Sequence, residues 1–445
     1  MRRIGILMLV VFVCFVSTAF FSTRPAQAQT LETLYTFTGY PDGANPWNDL
    51  LVDVNSIVYG TTSIGGANGW GTVYKVDSKG KETVLYSFCS AANCADGYFP
   101  QSNVLPDWQG NFYGVALFGG NTTATNCVNN YGCGTVFKLD KEGNFTVLYT
   151  FTGGADGNIP QGLNMDWAGN LYGITFAGGD LSCSTPDNPP GCGTLYKLDT
   201  KGNFTVLHAF TGGADGAFPN DYLTLDAAGN IYGVTIYGGN PAYCSGNGCG
   251  TLFKLDRKGK LTALYTFTGL TDGSLANGSL VLDIWGNLYG TTNNGGSSTC
   301  NGGAGCGVVF KLTAAGKYSV LHTFTGAPDG AIPPMGLMAD WFGNLYGVTE
   351  FGGNSADCSW AAPNPPGCGV VFKVDTRGKE TVLYTFTGLA DGATPGSALI
   401  MDWQGNLYGN TLYGGDLSCY NEGVGFSPNG CGVVYKLKPR RPDFE

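Results

Sequence analysis

The chain has 445 residues, with 23 Lys and Arg against 33 Asp and Glu, a formal charge of −10. So acidic a surface repels phosphate backbones and argues against nucleic acid as a partner. Glycine at 72 positions and charged residues at only 13% disfavour long solvated helices and suit many short strands joined by tight turns.

Residues 1–28 read as an export signal. "MRR" is a basic start, "IGILMLVVFVCFVSTAFF" an apolar run, and "AQA" at 26–28 places small residues for cleavage after Ala28. A membrane anchor is the rival reading, since the run approaches spanning length, but the small-residue site favours cleavage. Cys14 lacks the small residues that a lipid-attachment site wants before it. No second apolar run of that length follows, so the mature chain is expected to be secreted (extracellular or periplasmic) and not membrane-spanning. Without Arg2, Arg3 and Arg24 it carries 20 basic against 33 acidic residues.

The rest of the chain is periodic. "GNLYG" or a close variant places a tyrosine at 59, 113, 172, 232, 289, 346 and 408. Seven copies occupy the whole mature chain, which marks one repeat architecture and not several domains. The third unit shows the elements in order. "GLNMD" (162–166) is a strand, "WAGN" a tight turn, and "LYGIT" (171–175) a second strand. A Gly-, Pro- and Cys-rich loop follows, then strand "GTLYKLD", turn "TKGN" and strand "FTVLHAFT" (204–211). Helical spacing of apolar residues is absent outside the signal.

Each unit is thus a four-stranded antiparallel meander, and seven fall within the range of β-propellers. The last unit stops at Leu437 after its third strand, whereas the mature chain opens with "ETLYTFTG" (32–39), a copy of the fourth. The expected fold is all-β: a seven-bladed β-propeller spanning 29–437, closed by the N-terminal strand completing the last blade beside residues 432–437. Closure protects the edge that an open array would expose. Residues 438–445 are read as a tail.

Fourteen cysteines remain after the signal, in seven close pairs: Cys89 with Cys94, Cys127 with Cys133, Cys183 with Cys192, Cys244 with Cys249, Cys300 with Cys306, Cys358 with Cys368, and Cys419 with Cys431. In an exported chain these are expected to be disulfides. Zinc is the alternative, but it needs four converging ligands and the chain has only two histidines.

With strands lettered a to d outward from the ring's centre, the a–b and c–d turns share one face and the b–c and d–a loops the other. The turns are short and uniform, so their face reads as structural. The b–c loops vary from "SIGGANGWG" (63–71) to "YGGDLSCYNEGVGFSPNGCG" (413–432), and all seven cysteine pairs lie on their face. Variable loops on a rigid scaffold are where binding usually resides.

The pattern "DxxGNLYGxTxxGG…GCGxVFKLDxxGxxTVLYTFTGxxDGxxP" resembles the GloVer tandem repeat of secreted bacterial proteins, over residues 32–437. That resemblance implies export and repeats, and no established activity. The first unit departs from it: "DVNSIVYG" lacks the turn glycine, and its b–c loop lacks cysteines. Members often end in a surface-sorting anchor; here the chain ends "KPRRPDFE", with no such tail, which leaves surface attachment open.

Candidate chemistry is weighed against packing. The "DG" aspartates Asp42, Asp96, Asp156, Asp215, Asp272, Asp329 and Asp391 could form a Ca²⁺-binding ring, but their presence in every unit favours turn capping. No other cofactor or metal is expected. Lys75, Lys138, Lys197, Lys254, Lys311, Lys373 and Lys436 are expected to bridge to loop carboxylates. His208 and His322 replace a strand-d tyrosine and read as packing residues, which leaves a serine triad without its base. Trp108, Trp167, Trp341 and Trp403 repeat after the a–b turn aspartate and are expected to pack between blades. The non-repeating aromatics Trp70, Tyr131, Tyr243, Trp360, Tyr420 and Phe426 lie in b–c loops and form the candidate ligand-binding set, as rings that could stack on sugars. No catalytic residue stands out. The preferred expectation is a monomeric, non-enzymatic module binding a glycan or an envelope protein. The alternative is a propeller hydrolase or lyase acting on polysaccharide, or a quinone-dependent dehydrogenase, whose repeats "VYKVDSKGKETVLYSF" (73–88) loosely resembles.

Overall fold

The computed structural model describes residues 29–122, 127, 131–183, 190–354, 356, 358, 365–419 and 430–438. The segment read as an export signal, with the cleavage expected after Ala28, and the residues beyond 438 lie outside the described residues. The described residues form seven antiparallel sheets in a ring. In blade three, strands a to d are Asn158–Met165, Leu171–Ala177, Thr194–Leu198 and Phe204–Ala209, paired in that order. The other blades repeat this order. No helix among the described residues is long and apolar enough to cross a membrane.

Strand a is the least regular element. It runs eight or nine residues in blades three to five, but pairs over only two residues in blades one, two and six. The innermost segments crowd together. A Cβ on Gly336 would lie 2.7 Å from the amide nitrogen of Ser279 in the neighbouring blade. Where the ladder lapses, side chains of the adjacent blade take the free carbonyls. Thr61 Oγ1 donates to Ser102 O at 3.0 Å, Thr291 Oγ1 to Met335 O at 3.0 Å, and Asn410 Nδ2 to Asn48 O at 2.8 Å. Buried backbone groups are thereby satisfied across the blade boundaries.

The ring closes as the repeat offset requires. Thr30–Thr36 is strand d of blade seven and pairs antiparallel with Val433–Lys438, in register Thr30↔Lys438, Leu31↔Leu437 and Thr33↔Tyr435, with a bulge before Tyr35. Lys438 Nζ and a Glu32 carboxylate oxygen meet at 2.9 Å across the seam.

One aromatic contact, repeated seven times, glues each blade to the next. The phenylalanine ending strand d packs edge-on against the central aromatic of the next strand c. Phe37 meets Tyr74 at 5.0 Å between centroids, Phe151 meets Tyr196 at 5.3 Å, and Phe324 meets Phe372 at 5.1 Å. All six of these rings have 0% exposure. The glycine of each "LYG" makes room for the strand-c ring: a Cβ on Gly347 would lie 2.6 Å from Phe372 Cζ. Three blades carry tyrosine in this slot, and the hydroxyls of Tyr74, Tyr196 and Tyr435 are buried without a partner among the described residues. A stranded hydroxyl costs about 1 kcal/mol or more. Tyr196→Phe should therefore raise stability by about 1 kcal/mol, read as a shift in denaturant midpoint at constant slope. A loss of stability would reveal a partner for that hydroxyl.

Candidate functional site: the disulfide-stapled loop face

On the loop face one joint recurs at every blade boundary. The second cysteine of a b–c loop sits between two glycines, and its carbonyl accepts the amide that opens the next strand a. Ile159 N donates to Cys133 O at 3.2 Å, Phe218 N to Cys192 O at 2.9 Å and Thr394 N to Cys368 O at 2.9 Å. Cys249, Cys306 and Cys431 do the same for Leu275 N at 3.3 Å, Ile332 N at 2.9 Å and Asn45 N at 3.0 Å. These donors hold positive φ, 57° at Ile159 and 51° at Thr394, which β-branched residues resist. A proline follows every one of these donors except Leu275, which precedes Ala276, and it fills the space over the second glycine: a Cβ on Gly193 would lie 2.6 Å from Pro219 Cδ. Gly-Cys-Gly and the x-Pro step are thus two halves of one joint.

The cysteines pair as their spacing predicts, and every pair is a disulfide. Cys89 is bonded to Cys94, Cys127 to Cys133, Cys183 to Cys192 and Cys244 to Cys249. Cys300 is bonded to Cys306, Cys358 to Cys368 and Cys419 to Cys431. The bond from Cys89 to Cys94 differs in place: it lies within the d–a loop after blade one, where Cys94 O accepts Gly97 N at 2.9 Å and Gly120 N at 3.0 Å.

The "DG" aspartates finish each d–a loop. Asp156 accepts from Thr152 N at 2.9 Å, Thr152 Oγ1 at 2.6 Å and Tyr149 OH at 3.1 Å. His208 and His322 take the tyrosine's part, with Nε2 3.0 and 3.1 Å from Asp215 and Asp329. Burial pushes the Asp215 carboxyl up, but hydrogen bonds from His208 and Thr211 prevail and hold it below the usual carboxylate range. The packing role read for both histidines thus becomes a specific one, as surrogate caps. Among the described residues, no three His, Cys, Asp or Glu side chains cluster as metal ligands.

Two expectations about repeated residues are overturned. Trp108, Trp167, Trp341 and Trp403 are not buried between blades; they are 81–101% exposed. The turn explains it. Asp166 Oδ1 accepts from Ala168 N and Asn170 N, both at 2.9 Å, and Oδ2 accepts from Asn170 Nδ2 at 2.8 Å. The aspartate folds inward as the cap, so the next residue stands at the tip. The strand-c lysines, likewise, form no ion pair among the described residues. Lys197 and Lys436 lie over the rings of Tyr172 and Tyr408, at 5.5 and 5.1 Å from the centroids, and four other blades repeat this. The turn aspartates that could have met them are already occupied.

The candidate aromatics separate. Trp70 stands in the slot of the missing second cysteine of blade one: its carbonyl accepts Phe99 N at 3.1 Å. Its ring, 44% exposed, meets Tyr98 at 4.8 Å. Tyr98 meets Phe118 at 5.6 Å, and Phe118 meets Tyr131 at 6.0 Å, with Tyr131 51% exposed. Two of the six expected residues are therefore joined in one aromatic strip across blades one and two. Tyr243 is half-buried over the core between blades four and five. Trp360, Tyr420 and Phe426 lie outside the described residues. Sequence reasoning missed Tyr98 and Phe118. Tyr98 was detectable, because it holds a slot where the other units have Ala44, Asn158, Ala217, Ser274, Ala331 and Ala393.

Charge separates the two faces. Between residues 37 and 437 every lysine and arginine lies in a strand c or a c–d turn. The b–c and d–a loops contain none, while holding many acids.

Two carboxylates break the sevenfold pattern. Burial raises Asp49 to about 6, against a hydrogen bond from Ala398 N at 2.7 Å, and burial alone raises Glu350 to about 7. Their effect is on stability. The unfolded Glu350 carboxyl ionises near 4.5 and the folded one near 7, so between those pH values only the folded state keeps the proton. Stability should fall as pH rises through that window and level off above it. Glu350→Gln should remove on the order of 2 kcal/mol of this fall, read from denaturation midpoints across the range. An unchanged slope would mean that Glu350 is solvated.

No curated protein matches the chain in sequence. Solved structures match it in shape. Virginiamycin B lyase from Staphylococcus aureus, in a catalytically inactive form with quinupristin, is 13% identical, with 92% of this chain and 99% of that one covered at a TM-score of 0.55. A gluconolactonase from Xanthomonas campestris is 13% identical, with coverage of 92% and 89% and a TM-score of 0.40. A luciferin-regenerating enzyme is 13% identical, with coverage of 93% and 96% and a TM-score of 0.42. At such identity the lyase likeness speaks for the fold alone. The sequence model of the Gloeobacter/Verrucomicrobia repeat matches residues 17–186, 125–299 and 189–426, so nearly the whole chain is built of that repeat and belongs to its family.

Proposed function

We propose that this is an exported, monomeric, non-catalytic binding module whose loop face receives a glycan. The observation that carries this is the Trp70–Tyr98–Phe118–Tyr131 strip, which breaks the sevenfold symmetry on the disulfide-stapled face. Trp70 and Tyr131, the exposed ends of the strip, offer apolar ring faces for sugar rings, and the buried Tyr98 backs them. The loops around them carry acids and no lysine or arginine, which favours a neutral or amino sugar over a carboxylated or sulfated one. Export accords with the N-terminal segment and with seven disulfides. The enzymatic alternative, polysaccharide cleavage or quinone-dependent dehydrogenation, has in its favour two part-buried carboxyls, Asp49 and Glu350, with raised proton affinity.

A glycan array followed by calorimetry on the best hit tests this. Trp70→Ala and Tyr131→Ala should each weaken binding about tenfold, equivalent to about 1.4 kcal/mol, while Trp341→Ala leaves it unchanged. Affinity that survives both loop substitutions would refute the aromatic strip as the contact.

A further inference from the structure

The turn face, which the sequence pattern presents as plain scaffolding, carries the most exposed aromatic rings of the described molecule. Trp108, Trp167, Trp285, Trp341 and Trp403 stand at the a–b tips with 74–101% of their surface in water. Val54, Ile284 and Phe342 join them at 83–91%. On neighbouring blades the rings of Trp108 and Trp167 lie nearly parallel, with centroids 6.3 Å apart. Soluble proteins rarely leave apolar groups gathered like this without a partner.

The shape of the crown narrows the choice of partner. Each a–b turn closes with the same bond from the aspartate amide to the carbonyl four residues on, from 2.9 Å at Asp107 to 3.0 Å at Asp53, Asp166 and Asp340. Seven like turns arranged around the ring form a rosette, suited to a broad surface and not to a single threaded polymer.

Charge narrows it further. The c–d turns surround the rosette and hold exposed cations such as Lys79, Lys141, Arg257, Lys258 and Lys260. The aspartates among them are drawn into the turns by backbone amides: Asp256 Oδ1 accepts from Lys258 N and Lys260 N at 2.8 and 3.0 Å. Two grooves open on this face between blades. One of about 520 Å³ is flanked by Lys75 and Lys141, and one of about 430 Å³ by Lys197 and Arg257. The opposite face has acids and no lysine or arginine in its loops.

We propose that the turn face docks on an anionic lipid surface. Tryptophan rings settle at the headgroup level of a bilayer, and a surrounding lysine and arginine rim meets anionic headgroups. The acidic loop face is repelled by the same surface, so the ring is oriented with its loops outward. Docking leaves the loop face open and does not depend on what binds there.

The exported form of the chain, mixed with sedimentable vesicles of phosphatidylcholine with or without phosphatidylglycerol, provides the test. Partition should favour the anionic vesicles and weaken with added salt. The combined variant Trp108→Asn, Trp167→Asn and Trp341→Asn should lower it at least about tenfold. Lys258→Glu with Lys260→Glu should lower it on anionic vesicles only, and Trp70→Ala should leave it unchanged. Equal melting temperatures would confirm that the variants keep the ring. Partition unaffected by the tip substitutions would overturn the proposal. So would a soluble dimer, or retention on an acidic polysaccharide, that those substitutions abolish while vesicles are ignored.

Discussion

Deleting residues 30–37 is expected to remove at least about 5 kcal/mol of stability and to replace one unfolding transition by a broad one. The segment supplies the whole of strand d in blade seven, paired with Val433–Lys438. It also supplies Phe37, fully buried between blade seven and Tyr74 of blade one. Loss of a buried phenylalanine alone costs about 3–5 kcal/mol. Here a sheet edge is uncovered as well, since Thr33, Tyr35 and Thr36 no longer cover Tyr435, Val434 and Val433. Phe37→Ala isolates the side-chain share and should fall between the deletion and the parent. Denaturant unfolding followed by tryptophan fluorescence and by circular dichroism reads both quantities. A synthetic peptide of residues 30–39 added to the deleted chain should restore much of the loss. A deletion that melts like the parent would mean the seam contributes nothing to closure.

Gly173→Ala is expected to cost about 3 kcal/mol, although it adds one methyl group in a strand. Strand b passes beneath the ring of Tyr196, and a Cβ there would lie 2.6 Å from Tyr196 Cζ and 3.0 Å from Leu163 Cδ2. Neither neighbour can retreat, because Tyr196 is held edge-on by Phe151 and both belong to one buried cluster. Combining it with Tyr196→Phe should recover part of the loss, since the hydroxyl that meets the new methyl is gone. The double variant should then be more stable than the sum of the two changes predicts, a coupling that only contacting residues show. Strict additivity would show that the backbone yields instead.

Local, repeated signals made the architecture readable. The tyrosine period, the cysteine pairs and the displaced copy of strand d each depend on short stretches, and each survives in the structure. What misled was repetition itself. Trp108 and its counterparts recur like core residues, yet they recur because the aspartate before them turns inward and leaves the tip to solvent. The strand-c lysines suit carboxylates by charge, but hydrogen bonds claim those groups, and six of the seven lysines lie over tyrosine rings of strand b. The aromatic strip was half legible. Trp70 and Tyr131 could be named from their loops, whereas Phe118 joins them only because the fold sets blade one beside blade two. Asp49 and Glu350 were invisible, since nothing local distinguishes a part-buried carboxylate from a solvated one.

Residues 30 and 438 end side by side where other blades have a c–d turn. The seam is therefore a missing hairpin and not a special blade. A short Asp-x-x-Gly linker across it, with a new opening cut in any other c–d turn, would give a circularly permuted ring with the same contacts. Residues 30 and 438 mark only where this circle is cut, and cargo joined at either position would leave from the same point on the rim.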